Sequence, residues 1–64
     1  MMKVRYSELE KLLRKSGCRL HAEGANHEIW FSPITGKKFT LSRHKTEEVP
    51  AGTLKSIKRS AGLE

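Results

Sequence analysis

The sequence lacks the features that crosslink a protein or place it in a membrane. Its one cysteine, Cys18, excludes an internal disulfide and a metal site built on several cysteines. No apolar run approaches the roughly 20 residues of a membrane-spanning helix. Residues 1–6 lack the apolar segment of a signal peptide. These absences lead us to expect a cytoplasmic protein without a membrane partner.

Acidic residues are scarce as well. The chain has 13 Lys and Arg against 7 Asp and Glu, which gives a formal net charge of +6 and favours anionic partners such as RNA or DNA. It contains no glycine-rich phosphate loop with its lysine, the motif of many nucleotide-binding enzymes. For a chain of 64 residues we expect one domain over residues 1–64, a thin core and no small-molecule cofactor.

Apolar residues at helical spacing predict two helices, one in each terminal part of the chain. The first covers residues 7–16, because Ser7 and Glu10 form a capping-box pattern and Gly17 stands where helices commonly end. The second follows Pro50, which suits a first helical turn. Leu54, Ile57 and Ala61 form its apolar stripe, and Gly62 is the glycine at which it ends.

Three segments between the helices have the character of strands. Each alternates in polarity or is rich in aromatic and β-branched residues, and turn-forming residues separate them. We predict strands at 18–23, 27–32 and 37–42, with Phe39 and Leu41 on the buried face of the third. The order α-β-β-β-α predicts an α+β fold, a two-layer sandwich with both helices on one face of a three-stranded antiparallel sheet.

The middle strand is ambiguous about which of its faces is buried. His27, Ile29 and Phe31 share one parity, and Trp30 lies on the other. We expect Ile29 and Phe31 to pack under the helices, His27 to lie at the open end of the strand, and Trp30 to occupy the exposed face of the sheet. A lone tryptophan is typical of a protein interface, of a core or of a base-stacking surface, and all three roles stay open.

His27 is the candidate catalytic residue. It directly follows the turn at 24–26, and an imidazole that titrates near neutral pH can serve as base or acid when RNA is cleaved through its own 2′-hydroxyl. The alternative is a histidine that only caps the strand with a hydrogen bond. His44 could bind or protonate a phosphate, whereas His21 is expected to be merely exposed. No two histidines have a recognised metal-ligand spacing, so we expect no metal site.

Basic residues form two clusters along the sequence, one on the third strand and its exit and one on the second helix. Such cations hold phosphates without reading bases, although a solvated surface is the alternative. No acidic residue interrupts either cluster in the sequence, which favours the first role. The predicted RNA-binding residues are Lys37, Lys38, Arg43, His44 and Lys45, and the second cluster consists of Lys55, Lys58 and Arg59.

A series of short segments extends over nearly the whole chain: Ser7-Glu8-Leu9, Lys11-Leu12-Leu13, Ser16-Gly17-Cys18, Gly24-Ala25-Asn26-His27, Pro33-Ile34-Thr35-Gly36-Lys37, Gly52-Thr53-Leu54-Lys55-Ser56-Ile57 and Ala61-Gly62-Leu63. In this order they resemble the HicA family of bacterial toxins, which are small mRNA interferases. The resemblance implies a double-stranded-RNA-binding-domain-like fold and ribosome-independent cleavage of single-stranded mRNA, with His27 as the catalytic histidine. It also implies a HicB-type antitoxin as the protein partner. Ala25 stands where the family usually has serine.

Two other functions stay open at this point. Gly24, His27 and Phe31 also resemble a strand pattern of double-stranded-RNA-binding domains, which would make the chain a non-catalytic RNA-binding module, but residues 50–54 lack the lysine cluster of those domains. A protein-binding adaptor would leave the positive charge unexplained. A metal-independent endoribonuclease, whose products carry a 2′,3′-cyclic phosphate and a 5′-hydroxyl, accounts for the histidine and for the charge.

Overall fold

The computed structural model describes residues 3–63 and has the predicted order of elements. Met1, Met2 and Glu64, which the predicted 1–64 domain includes, lie outside the described residues. Within residues 3–63, neither helix has the length and apolar character needed to cross a membrane. The elements are α1 (Tyr6–Lys15), β1 (Arg19–Glu23), β2 (His27–Phe31), β3 (Lys38–Ser42) and α2 (Ala51–Ala61).

The three strands form one antiparallel sheet in the order β1-β2-β3. His27 at the start of β2 lies opposite Ser42 at the end of β3, and Phe31 lies opposite Lys38. Both helices contribute to a single core on one face of this sheet. The α+β sandwich expected from the sequence is therefore confirmed.

The start of α1 differs from the capping box that the sequence suggested. The helix begins at Tyr6, and the Glu8 carboxylate accepts a hydrogen bond from the backbone N–H of Arg5 at 3.4 Å. The backbone N–H of Ser7 donates to the carbonyl of Lys45 at 3.1 Å, so the loop after β3 provides the acceptor for this donor of the first helical turn. The predicted pairing of Ser7 with Glu10 is wrong.

The two helix C-termini follow the predicted glycine signals. Gly17 and Gly62 have φ angles of 95° and 80°, the left-handed conformation that side chains with a Cβ disfavour. After α2, the backbone N–H of Leu63 donates to the carbonyl of Lys58 at 2.8 Å, and Leu63 packs against the core. Both predicted helix ends are confirmed.

Trp30 lies in the core, which reverses the expected orientation of β2. Its side chain is fully buried, whereas Ile29 and Phe31 are partly exposed on the opposite face. The polar neighbours of Trp30 find partners on the buried face. The indole N–H donates to Glu28 Oε1 at 3.3 Å, and Ser32 Oγ donates to the carbonyl of Ala61 at 2.7 Å. The burial of Trp30 thus determines which face of β2 is buried. Glu28 and Ser32 can be buried beside it because both form hydrogen bonds there.

The outer strands agree with the sequence to different degrees. Phe39 and Leu41 on β3 are buried as predicted. In β1 the register shifts between Leu20 and Ala22, so that Leu20 pairs with Trp30 while Ala22 pairs with Ile29. The bulge therefore places Leu20 and Ala22 on opposite faces. The regular alternation predicted for the first strand is therefore interrupted at this point.

The reversed parity of β2 gives a stability prediction. Trp30→Ala should lower the free energy of unfolding by about 3–5 kcal/mol, because it empties a fully buried site. Phe31→Ala should cost at most about half as much, since its ring already contacts water. Urea denaturation followed by circular dichroism measures both values. Equal losses, or a larger loss for Phe31→Ala, would contradict the assigned faces.

Candidate functional site

His27 occupies an exposed position at the first residue of β2. Its carbonyl accepts a hydrogen bond from the backbone N–H of Gly24 at 2.7 Å, which closes the turn between β1 and β2. A Cβ on Gly24 would come within 3.2 Å of that carbonyl oxygen, so the turn favours a residue without a side chain. Because the adjacent Glu28 is buried under the helices, the imidazole belongs to the other, open face of the sheet.

The imidazole of His27 has no hydrogen bond or ion pair with any other residue of the described part of the chain. A histidine that only capped the strand would bond to a neighbouring backbone group. The structure therefore gives no support to the capping alternative. An exposed imidazole with both nitrogens unoccupied is available to exchange protons with a bound ligand.

Arg43 ties the turn before His27 to the end of β3. Its Nη1 donates to the carbonyl of Gly24 at 3.0 Å and approaches that of Ala25 at 3.5 Å, and its backbone N–H donates to the carbonyl of Asn26. These bonds place the guanidinium beside the turn that leads into His27. A guanidinium has five N–H donors, so Nε and Nη2 stay available to an anion.

His44 lies at the same end of the sheet. Its backbone N–H donates to Ser42 Oγ at 3.1 Å, and Ser42 is the residue opposite His27. Its exposed imidazole has Nδ1 at 3.7 Å from Glu47 Oε1. The structure thus groups His27, Arg43 and His44 around one end of the sheet.

Lys37 and Lys38 lie at the opposite end. Lys38 pairs with Phe31, four positions along β2 from His27, which corresponds to about 13 Å of strand. Both lysines are exposed and have no ion pair within residues 3–63. The RNA-binding residues proposed from the sequence are therefore divided between two ends of the sheet.

Lys45 belongs to an internal charge network. Its ammonium group contacts the carboxylate of Glu28 and lies 3.1 Å from Glu10 Oε2. Arg14 approaches the same Glu10 carboxylate at 3.0 Å and places its guanidinium 5.0 Å from the ring centroid of Trp30. The acids next to Lys45 in the sequence, Glu47 and Glu48, form no ion pair with it, and the fold instead brings two distant carboxylates to it. Its charge is already compensated within the protein.

The protonation of this network follows from burial and pairing. Partial burial disfavours the charged form of Glu10, but hydrogen bonds from Lys45 and Arg14 and their charges outweigh it, so the pKa of Glu10 is lowered. Burial likewise opposes the charge of Lys45, while hydrogen bonds to Glu28 and Glu10 and their charges raise its pKa. Both shifts favour the charged forms of Glu10 and Lys45 near neutral pH.

The remaining candidates lie elsewhere. Lys55 and Arg59 are exposed on α2, in the helical layer and away from the open face that carries His27. His21 is exposed at the bulge of β1. Among residues 3–63, no three His, Cys, Asp or Glu side chains come together in a group that could hold a metal ion.

A comparison with protein families gives one match that extends over nearly the whole chain. The family model described as "HicA toxin of bacterial toxin-antitoxin" matches residues 6–63. The matched part begins with the first residue of α1, includes all five elements, and contains His27 and Arg43. No curated protein and no solved structure gives a significant match.

The different environments of two lysines predict different effects of their removal. Lys45→Met should lower the free energy of unfolding by about 1–3 kcal/mol, because it leaves the buried Glu28 carboxylate without an ion pair and removes one of the two cations that contact Glu10. Lys37→Met, at an exposed position without an ion pair, should change it by less than about 0.5 kcal/mol. Denaturant unfolding at neutral pH provides the measurement. If the two variants are equally stable, the Lys45 network does not contribute to folding.

The lowered pKa of Glu10 predicts a loss of stability in acid. Because the folded state holds the pKa below the ordinary value of 4.5, the contribution of Glu10 is present above that pH and disappears as the pH falls through the folded-state pKa. The wild type should therefore exceed Glu10→Gln in stability at pH 7, and the difference should shrink below pH 4.5.

Thermal unfolding between pH 7 and pH 3 measures this dependence. Glu23→Gln is the matched control, because Glu23 is exposed on β1 and has no ion pair in the described residues. That variant should follow the wild type across the range. A constant difference between wild type and Glu10→Gln at all pH values would contradict the prediction.

Proposed function

The chain belongs to the HicA toxin family, and from that premise we propose that it is a metal-independent endoribonuclease that cleaves single-stranded mRNA. The observation that carries the proposal is the exposed imidazole of His27, which has no protein partner within residues 3–63 and lies at the end of the sheet where Arg43 is anchored. A proton-transferring group and a cation beside one another both contribute to phosphodiester cleavage through the 2′-hydroxyl.

The proposed reaction uses the RNA's own 2′-hydroxyl as the nucleophile. The 2′-oxygen attacks the adjacent phosphorus, and the bond between phosphorus and the 5′-oxygen breaks. A base removes the 2′-proton and an acid protonates the 5′-oxygen, which leaves a 2′,3′-cyclic phosphate and a 5′-hydroxyl. His27 serves as the acid or the base, and His44 is the second titratable group at this end of the sheet.

Arg43 is proposed to stabilise the phosphate during the reaction. Its Nη1 is fixed by the carbonyls of Gly24 and Ala25, so the guanidinium does not need to be ordered when RNA binds. Its other N–H groups can donate charge-assisted hydrogen bonds to phosphate oxygens. Lys37 and Lys38 are proposed to hold more distant phosphates, because they lie at the far end of the sheet.

Ala25 is compatible with this function. The contacts that Arg43 makes to the turn use main-chain carbonyls, including that of Ala25, and involve no side chain of the turn. A small residue at this position therefore preserves the anchoring of Arg43 whether or not it carries a hydroxyl. We infer that the turn needs small size at Ala25 more than it needs a serine.

A HicB-type antitoxin in the bacterial cytoplasm is proposed as the protein partner. Membership in a toxin family of toxin-antitoxin systems supports an antitoxin as such. The net charge of +6 favours a partner with an acidic surface. An antitoxin that covered the end of the sheet around His27 would block access of RNA to the imidazole.

The decisive experiment compares RNA cleavage by the wild type and by His27→Ala in the presence of a chelator. The variant should lose at least about 100-fold in rate, the usual contribution of a general acid or base. Lys11→Ala, which changes an exposed residue of α1, is the control and should cleave like the wild type. The products should carry cyclic phosphate and 5′-hydroxyl ends.

Other outcomes would each remove a specific part of the proposal. Equal cleavage by wild type and His27→Ala would exclude His27 as the catalytic group. Loss of wild-type cleavage in chelator would show that a metal is needed. If the wild type bound RNA without cleaving it under any condition, the non-catalytic RNA-binding module would be the better description.

A further inference from the structure

The open face of the sheet, the one without helices, has a distinct composition. Residues that lie directly opposite one another on neighbouring strands share a face, so the strand register assigns its members. Ala22, Ile29 and Thr40 form the middle row. The residues that the register assigns to this face are Arg19, Ala22, His27, Ile29, Phe31, Lys38, Thr40 and Ser42.

This face carries cations and no carboxylate. The two acidic residues of the sheet, Glu23 and Glu28, pair with each other in the register and lie on the helical face, where Glu28 is buried. The charged members of the open face are Arg19 and Lys38. The surface that contains His27 is therefore cationic, although the chain as a whole contains seven acids.

An aromatic ring lies between those two cations. Phe31 on β2 pairs with Arg19 on one side and with Lys38 on the other. Its ring is partly exposed, unlike that of Trp30. A depression of about 400 Å³ opens at this place and is lined by Arg19, Leu20, His21, Phe31 and Lys38.

The chemistry of this depression fits a nucleotide. An exposed aromatic ring stacks on an unpaired base of any kind, and flanking cations hold the phosphates on either side of it. Its volume lies in the range of pockets that take small organic groups. Nothing on this face would repel a polyanion, because no described residue of the face is acidic.

We propose that Phe31, Arg19 and Lys38 form a base-stacking subsite for the single-stranded RNA substrate. The inference rests on the proposed function, which places RNA at His27, and adds where a neighbouring base binds. Phe31 is four residues from His27 along β2, about 13 Å of strand. The stacked base is therefore within a few nucleotides of the phosphate that reacts, and RNA runs along β2 over Ile29.

The test measures binding of a short single-stranded RNA to Phe31 variants in a His27→Ala background by fluorescence anisotropy. Phe31→Leu keeps an apolar side chain but removes the aromatic face, and should weaken binding about 10-fold, within the 1–3 kcal/mol found for base stacking on aromatic residues. Phe31→Tyr keeps the ring and should bind like the parent. A duplex of the same sequence should not discriminate between these variants, because its bases are already stacked.

The flanking cations have a separate signature. Arg19→Gln and Lys38→Gln should each lower the slope of log affinity against log salt by about 1, the effect of losing one phosphate contact. Lys11→Gln, on α1, should leave the slope unchanged. If Arg19→Gln and Lys38→Gln both have the same salt slope as the parent, these two residues do not belong to the subsite.

The outcomes separate this inference from the proposed catalysis. If Phe31→Leu binds single-stranded RNA as tightly as the parent, the subsite is wrong even when His27→Ala abolishes cleavage. If Phe31→Leu weakens binding but His27→Ala still cleaves, the subsite stands and the catalytic role of His27 fails. Unchanged RNA binding together with lost binding of an acidic antitoxin would overturn the inference and assign the depression to the protein partner. Thermal unfolding of each variant verifies that it is folded.

Discussion

The burial of Trp30 determines how the rest of the molecule is arranged. Once the indole is fully buried between the sheet and the helices, the alternation of a strand requires Glu28 to face the same way. The carboxylate of Glu28 then accepts the indole N–H and contacts Lys45, which also reaches Glu10 on α1. The burial of Trp30 thus also positions the charge network of Glu28, Lys45 and Glu10, which links β2 to α1 and to the loop after β3.

The same placement creates the candidate site. Because Trp30 and Glu28 face the helices, His27, Ile29 and Phe31 must lie on the open face. Had the helices covered Ile29 and Phe31, the parity of β2 would have directed His27 toward the helical layer. His27 is exposed because Trp30, three positions further along the strand, is buried. The packing of the core and the exposure of the imidazole therefore both follow from the orientation of β2.

The sequence predicts what depends on local signals and fails where partners are far apart in the chain. Helix ends at Gly17 and Gly62 and the order of elements follow from residues within one turn or strand, and both are confirmed. The parity of β2 could not be predicted, because both of its faces carry apolar side chains. The start of α1 depends on a hydrogen bond to the carbonyl of Lys45, and the charge of Lys45 is compensated by Glu10 on α1. No local pattern in the sequence indicates either contact.

The position of a basic residue in the sequence does not indicate whether its charge is available to a ligand. Lys45 stands next to Arg43 and His44 in the sequence, yet its charge is compensated by Glu10 and Glu28. Arg19, in contrast, belongs to no basic cluster in the sequence, but the register brings it to the open face opposite Phe31. Arg43 at one end of β2 and the cations beside Phe31 at the other are separated by the length of that strand. A polyanion that contacts both ends must follow β2, so the sheet and not the helical layer defines its path.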